Sequence, residues 1–321
     1  MSVLGVHHVT ALASDPQRNV DFYAGILGLR LVKQTVNFDA PDVYHLYYGD
    51  ETGRPGTILT FFPFPDAARG RRGSGEISAV AFSIPPGSAD YWSAHLARKG
   101  IPVNGPVTRF GEPVLAFEDP DGMVVELVED PSSTAVPGWS GGTVDPAHAP
   151  RKLHGVTILE AAYAPSETFL AGGMELPAAG SEGPRHRFLA GSGADQARID
   201  VMADAAAPAA RQSAGSVHHI AWRAKDDAEQ LEWRPRLRRA GATPTQVMDR
   251  QYFHSIYFRE PGGVLFEIAT DPPGFLVDES PAMLGTSLKL PPWLEPQREL
   301  IQGDLPPLTL PGTGSAREEA S

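Results

Sequence analysis

"GVHHVTALA" (residues 5–13) and "SVHHIAWRA" (residues 216–224) are the stretches that decide how this chain folds. Each sets a His-His pair among small and β-branched residues, with the alternation of a strand. The same unusual pair at two distant places implies an internal repeat, or two strands that carry imidazoles to one point. The rest of the sequence argues for both.

Working outward from the first pair, "SDPQRNVDFYAGILG" reads as a helix, capped by Ser14 or Asp15 and ended by Gly28. Three strands follow in "LRLVKQTVNF", "DVYHLYYGD" and "GTILTFFPF", so the unit is β-α-β-β-β. It recurs in "GEISAVAFSI" with the helix "SADYWSAHLARKG" and the hairpin "PVLAFEDPDGMVVELVED". The second pair opens another copy, with the helix "DDAEQLEWRPRLRRAG" and the hairpin "SIYFREPGGVLFEIATD". Pro235 predicts a kink or early break in that helix. Between these lies a degenerate copy that opens with "KLHGVTILE" and closes with "QARIDVMAD". "AGGMELPAAG" within it reads as a loop, with no strand-to-helix unit around it to make a nucleotide fingerprint. Four modules result, over 1–64, 75–130, 152–204 and 215–271, with a Pro/Gly/Ser-rich linker over 131–150. A C-terminal arm is expected over 272–302 and a disordered tail over 303–321.

Composition narrows the function. The chain has 321 residues, 41% of them hydrophobic, enough for two domains with a core. A net charge of −12 without a long basic run argues against nucleic acid and anionic membranes as partners. No stretch reads as a membrane span or a signal peptide, so the expectation is a cytoplasmic protein. With no cysteine, any metal must be held by His, Asp and Glu.

Aligning the modules picks the ligands. Ser78-Ala79 and His154-Gly155 stand where the other two modules have His7-His8 and His218-His219. Neighbours on a strand face opposite sides, so one His of each pair faces inward. The second position is assigned, because Thr10 and Ala221 share its face while Val9, Ile220 and Trp222 suit packing on helices. In the last strands Glu267 matches Glu126, Asp200 and roughly Phe62. A carboxylate among apolar strand residues is costly to bury unpaired, and a metal would compensate it. Modules one and four therefore offer His8, His219 and Glu267, while modules two and three offer no imidazole in the ligand places. A lone strand His or Glu is more often a hydrogen-bonded core group, and Glu126 and Asp200 are read so, as caps of backbone groups. The joint match of three residues favours a metal. For these three to meet, module one must pack beside module four. His45, His95, His148, His186 and His254 match no ligand position, though His254 lies near Tyr257.

The paired modules resemble the vicinal-oxygen-chelate (glyoxalase/extradiol dioxygenase) superfamily, over about residues 3–271. The resemblance implies an α+β fold in which four βαβββ modules form two cup-shaped sheet domains. Two His and one carboxylate suit the facial triad of non-haem Fe(II), with Mn(II) accepting a similar set. Glyoxalase-type isomerases use a fourth ligand, and here that place falls on Phe62. The layout is similar to the hydroquinone 1,2-dioxygenase branch, most of all in "DRQYFHSIYFREPGGVLFEIATDPPGF". That resemblance implies His218, Arg250 and Tyr257 as catalytic groups, and His7 and Thr10 near the substrate, where His254 is placed as well. Strand alternation turns His218 away from the metal unless the strand bulges. The implied activity is insertion of both atoms of O2 into a small hydroquinone-like aromatic, by a homo-oligomer. A catechol substrate, a binding or resistance protein without oxygen chemistry, and an isomerase remain as alternatives.

Overall fold

The computed structural model describes residues 3–311. Module one runs β1 (Val6–Ala13), α1 (Pro16–Val20), β2 (Arg30–Asn37), β3 (Ala40–Gly49) and β4 (Ile58–Pro63). Asp15 caps α1 by accepting from the Arg18 amide at 2.8 Å, and a wider turn carries the helix on to Ile26. Module two runs β5 (Glu76–Ile84), α2 (Ala89–Arg98), β6 (Asn104–Arg109), β7 (Glu112–Glu118) and β8 (Val124–Glu129). Module three runs β9 (Lys152–Glu160), α3 (Tyr163–Thr168), β10 (Ala178–Glu182), β11 (Arg185–Ala190) and β12 (Ala197–Ala203). Module four runs β13 (Val217–Ala224), α4 (Asp227–Arg239), β14 (Met248–Asp249), β15 (Phe253–Arg259) and β16 (Leu265–Pro273).

Every module is thus β-α-β-β-β, including the third. The stretch "AGGMELPAAG", expected as a loop, ends in the first residues of β10. That strand is exposed throughout, so no apolar alternation marked it. Helix α4 continues through Pro235 without breaking. The carbonyl that loses its donor belongs to Leu231, which is half-exposed to solvent, while Trp233 and Leu237 are fully buried and anchor the helix on either side of the proline.

The sixteen strands form two eight-stranded sheets. One has the order β14-β15-β16-β13-β1-β4-β3-β2 and so joins modules one and four. The other, β10-β11-β12-β9-β5-β8-β7-β6, joins modules two and three. Each sheet is two modules stitched antiparallel through their first strands, β1 with β13 and β5 with β9. Both seams carry a pair of bulges at equivalent places: the ladder skips His7 and His218 in the first, and Ser78 and His154 in the second.

Hairpin tips hold the two sheets together. Asp119, at the β7–β8 turn, accepts from the Tyr23 hydroxyl at 2.9 Å, and Glu260, at the β15–β16 turn, accepts from Ser166 at 2.8 Å. The 131–150 connection is packed, with Val136, Val144 and Ala149 buried. The arm follows the edge of β2, where the Lys289 amide donates to the Gln34 carbonyl at 2.8 Å. It ends in α5 (Arg298–Asp304). The expected disordered tail is corrected over 303–311: Leu305 is buried, and Leu308 and Leu310 pack on the core. Its remainder, 312–321, lies outside the described residues. No helix among the described residues is long and apolar enough to cross a membrane.

Candidate metal centre

The β1–β13 seam sets the centre. Its register places Thr10 opposite His219 and His8 opposite Ala221, and the parallel partner β16 places Glu267 beside Ala221. His8, His219 and Glu267 therefore converge from three neighbouring strands. Their ligand atoms form a triangle: His8 Nε2 lies 3.3 Å from His219 Nε2, and Glu267 Oε2 lies 2.9 Å from His219 Nε2 and 3.5 Å from His8 Nε2. These three atoms lie close enough together that His8, His219 and Glu267 would hold one metal ion between them.

The donors fit a cation. Glu267 is 0% exposed; its Oε2 faces the two imidazole nitrogens, while Oε1 accepts from the Ser255 hydroxyl. Burial would raise its pKa, but the charges and hydrogen bonds of His8 and His219 outweigh burial and hold the carboxyl well below the usual range. Burial in turn lowers His219 against the pull of Glu267. With the imidazole nitrogens that face the centre deprotonated for ligation, the buried carboxylate would leave one negative charge that a metal would balance.

Behind each ligand stands the preceding histidine. His8 Nδ1 lies 2.9 Å from His7 Nδ1, and His219 Nδ1 lies 2.8 Å from His218 Nδ1. His7 also hydrogen-bonds the Thr270 backbone. With that carbonyl taking the other His7 proton, His7 Nδ1 accepts from His8 Nδ1–H, and the His8 Nε2 lone pair faces the centre. The bulges make this arrangement possible, because they turn His7 and His218 out of strict alternation.

A cavity of about 560 Å³ opens over the triangle. His8, Thr10, His218, His219, Arg250 and Tyr257 line it, among the rings of Phe38, Phe62, Phe64 and Phe253. Arg250 Nε donates to the Tyr257 hydroxyl at 3.2 Å, and its Nη1 meets Asp39 at 3.2 Å. Burial and the Glu267 charge raise Tyr257, so its phenol keeps its proton. Burial and the neighbouring His219 lower His218 to about 3.

Two expectations need correction. His7 does not line the cavity: it lies behind His8, edge-on to Phe253 with ring centres 5.0 Å apart. His254 does not line it either; its Nδ1 lies 2.6 Å from Asp227 at the start of α4. Alternation along β15 explains this, since Tyr257 and Phe253 face the cavity and His254 faces the helix. Sequence reasoning passed over His45, Tyr47, Asn37 and Asp39, which line the cavity from β2, β3 and their turn. An imidazole in the aromatic strand "DVYHLYYGD" was the available signal, but it holds no repeated position. The fourth place, expected at Phe62, is corrected to Thr60: β4 pairs Thr60 with Thr10 just as β16 pairs Glu267 with Ala221, and Phe62 lies two residues further along and lines the cavity.

The chain is similar to known proteins along nearly its whole length. The model of the glyoxalase/bleomycin resistance protein/dioxygenase superfamily matches residues 5–127 and 157–268. "Putative ring-cleaving dioxygenase MhqO" of Bacillus subtilis is 43% identical over 304 residues, covering 95% of this chain and 96% of the relative. The chlorohydroquinone/hydroquinone 1,2-dioxygenase of Sphingobium indicum is 36% identical over 299 residues, covering 91% and 93%. A crystal structure of a "putative dioxygenase" from Bacillus subtilis superposes with a TM-score of 0.92 at 42% identity, covering 96% of this chain and 98% of that one. Glyoxalase I of Zea mays, with a TM-score of 0.62 at 13% identity over 83% and 92% of the two chains, shares the fold.

Proposed function

The chain belongs to the glyoxalase/bleomycin resistance protein/dioxygenase superfamily, and from that premise we propose that it is a non-haem Fe(II)-dependent ring-cleaving dioxygenase acting on a hydroquinone-like phenol. One observation carries the reading most: a buried His8, His219, Glu267 triangle, with Thr60 rather than a further carboxylate in the fourth place. Three protein donors leave positions open for a phenol oxygen and for dioxygen. Isomerisation in this fold needs fewer open positions and more ligands. The relative of 36% identity, named for hydroquinone and chlorohydroquinone, supports this substrate class.

Bound iron supplies electron transfer between the ring and oxygen. The chain's own groups do the rest. Phe38, Phe62, Phe64 and Phe253 make an apolar slot that admits a ring and keeps out bulk water. Tyr257 holds its proton at Oη while accepting from Arg250 Nε, and with Ser255 also in reach its O–H is placed to donate to a substrate oxygen. Arg250 stays cationic beside the developing anion. His218 stays neutral, keeps the His219 ring oriented and borders the cavity.

The experiment is anaerobic reconstitution with Fe(II), and in parallel Mn(II), followed by oxygen uptake with hydroquinone, methylhydroquinone, chlorohydroquinone and catechol. The expected result is about one metal per chain and faster uptake with hydroquinones than with catechol. A metal-loaded protein that consumes no oxygen with any of these phenols would refute the reading.

A further inference from the structure

Four side chains of β1, β3 and β4 form an unbranched hydrogen-bonded row in the cavity wall. The Tyr47 hydroxyl lies 2.8 Å from His45 Nδ1, His45 Nε2 lies 2.8 Å from Thr60 Oγ1, and Thr60 Oγ1 lies 3.0 Å from Thr10 Oγ1. Strand register builds the row, since β4 pairs Thr60 with Thr10 on one side and with Tyr47 on the other. Thr10 is opposite His219, so the row ends beside the triangle. Tyr47, His45 and Thr10 line the cavity, and Thr60 is buried behind them. Among the described residues the hydroxyls of Thr10 and Tyr47 have no hydrogen-bond partner outside the row.

His45 gives the row its direction. Burial, and then the charges of His8 and His219, push it well below the ordinary histidine value, so it is neutral. A neutral imidazole donates from one nitrogen and accepts at the other. The hydrogens along the row must therefore all point the same way. Running toward β1, Tyr47 donates to His45, His45 to Thr60 and Thr60 to Thr10, which leaves the Thr10 hydrogen for an oxygen in the cavity. Running the other way, Thr10 offers a lone pair. The row is held rigid by ring contacts, with His45 against Tyr47 at 4.0 Å and against Phe62 at 4.2 Å between centres.

We propose that His45 is a positioning residue for the ring substrate: through Thr60 it orients the Thr10 hydroxyl, which holds a substrate oxygen beside the metal centre. The proposal rests on the ring-cleaving reading above and deepens it. It assigns the specificity for an oxygen-bearing ring partly to a residue that touches neither the metal nor a ligand.

The test compares His45→Phe, which keeps a ring against Phe62 and removes both nitrogens, with Thr60→Val, the double variant and Thr60→Ser. Hydroquinone binding to the iron-loaded protein is measured by calorimetry without oxygen, alongside KM, kcat, iron content and melting temperature. Each of the first two variants should raise Kd and KM on the order of tenfold with iron content unchanged. The double variant should be no worse than the weaker single, because both act through one hydroxyl, and Thr60→Ser should restore binding to within about twofold. Unchanged Kd in both single variants, losses that multiply in the double, or loss of iron would overturn the proposal. Wild-type protein that neither binds hydroquinone nor takes up oxygen would instead bring down the function it rests on.

Discussion

At the seam of one sheet His8 and His219 face a cavity of about 560 Å³, with Glu267 between them. At the seam of the other sheet Ala79 and Gly155 take the same places, and the space left is about 20 Å³. Both cups keep a carboxylate on the last strand. In the second cup Arg109 meets Glu126 at 2.5 Å, and Arg187 grips Asp200 with Nε at 2.8 Å and Nη2 at 3.0 Å. Arg185 adds a contact to Asp200 at 3.1 Å, and Arg187 lies over the Phe110 ring at 4.0 Å. Glu126 and Asp200 are therefore paired with guanidinium groups, not with the backbone groups expected from sequence. A buried carboxylate needs a positive partner: in the second cup arginines supply it, and in the first the converging imidazoles leave that place to a cation from solution under the reading proposed above. A side chain at Gly155 would meet the Arg198 carbonyl at 2.0 Å, so the second cup has no room for an imidazole there.

The largest contrast is expected between matched carboxylates. Glu267→Gln should remove the metal and all oxygen uptake, because an amide leaves the ion without its anionic ligand. Glu126→Gln should leave both within about twofold and lower stability by about 1–3 kcal/mol, as one hydrogen-bonded charge partner of Arg109 is lost. Metal analysis, oxygen uptake and melting curves on the two variants settle it. The reverse pattern would mean that the working cup has been misidentified.

A smaller contrast separates the bulge residues. His7→Phe should weaken metal binding about 10–100-fold, since it frees the His8 ring to turn. Ser78→Ala, at the same place in the other seam, should change metal affinity by less than about twofold. Chelator competition gives both numbers. Equal effects would show that the bulge, rather than the imidazole on it, supports the centre.

The mildest contrast concerns the hairpin tips. Burial and the neighbouring Glu260 raise Glu160 to about 8, and burial raises Asp119 to about 6. A carboxyl held protonated by the fold binds its proton more tightly folded than unfolded. Its stabilising share is full below about pH 4 and is lost as pH rises through the folded value. The Glu160 share should thus fade up to about pH 8, and the Asp119 share should be gone by about pH 6. Melting temperature should decline across both windows, and Glu160→Gln should flatten the profile above about pH 6 while leaving the Asp119 share of the decline below it. A flat wild-type profile between pH 6 and 9 would contradict the raised Glu160 carboxyl.

Most of the centre was readable because it sits at repeated positions. The His-His pairs, the hairpin match of Glu267 with Glu126 and the two-module sheets all follow from aligning copies. The bulges did not follow, because a bulge is set by the register of two strands that are remote in sequence. Strict alternation therefore turned His218 away from a cavity that it borders. The same alternation, applied to β15, would have placed His254 against α4. The arginines that fill the second cup lie on β6 and β11, at positions with no counterpart ligand to draw the eye. His45 went unread for the same reason.

The central seam joins the first strand of the chain to a strand more than two-thirds of the way along it. A ribosome delivers His8 early and Glu267 late, so a growing chain holds one imidazole and nothing with which to chelate. The centre closes only when module four has emerged and β13 has found β1. Any metal the centre takes would therefore be held only once module four is made: a first module alone offers His8 and neither of its two partners.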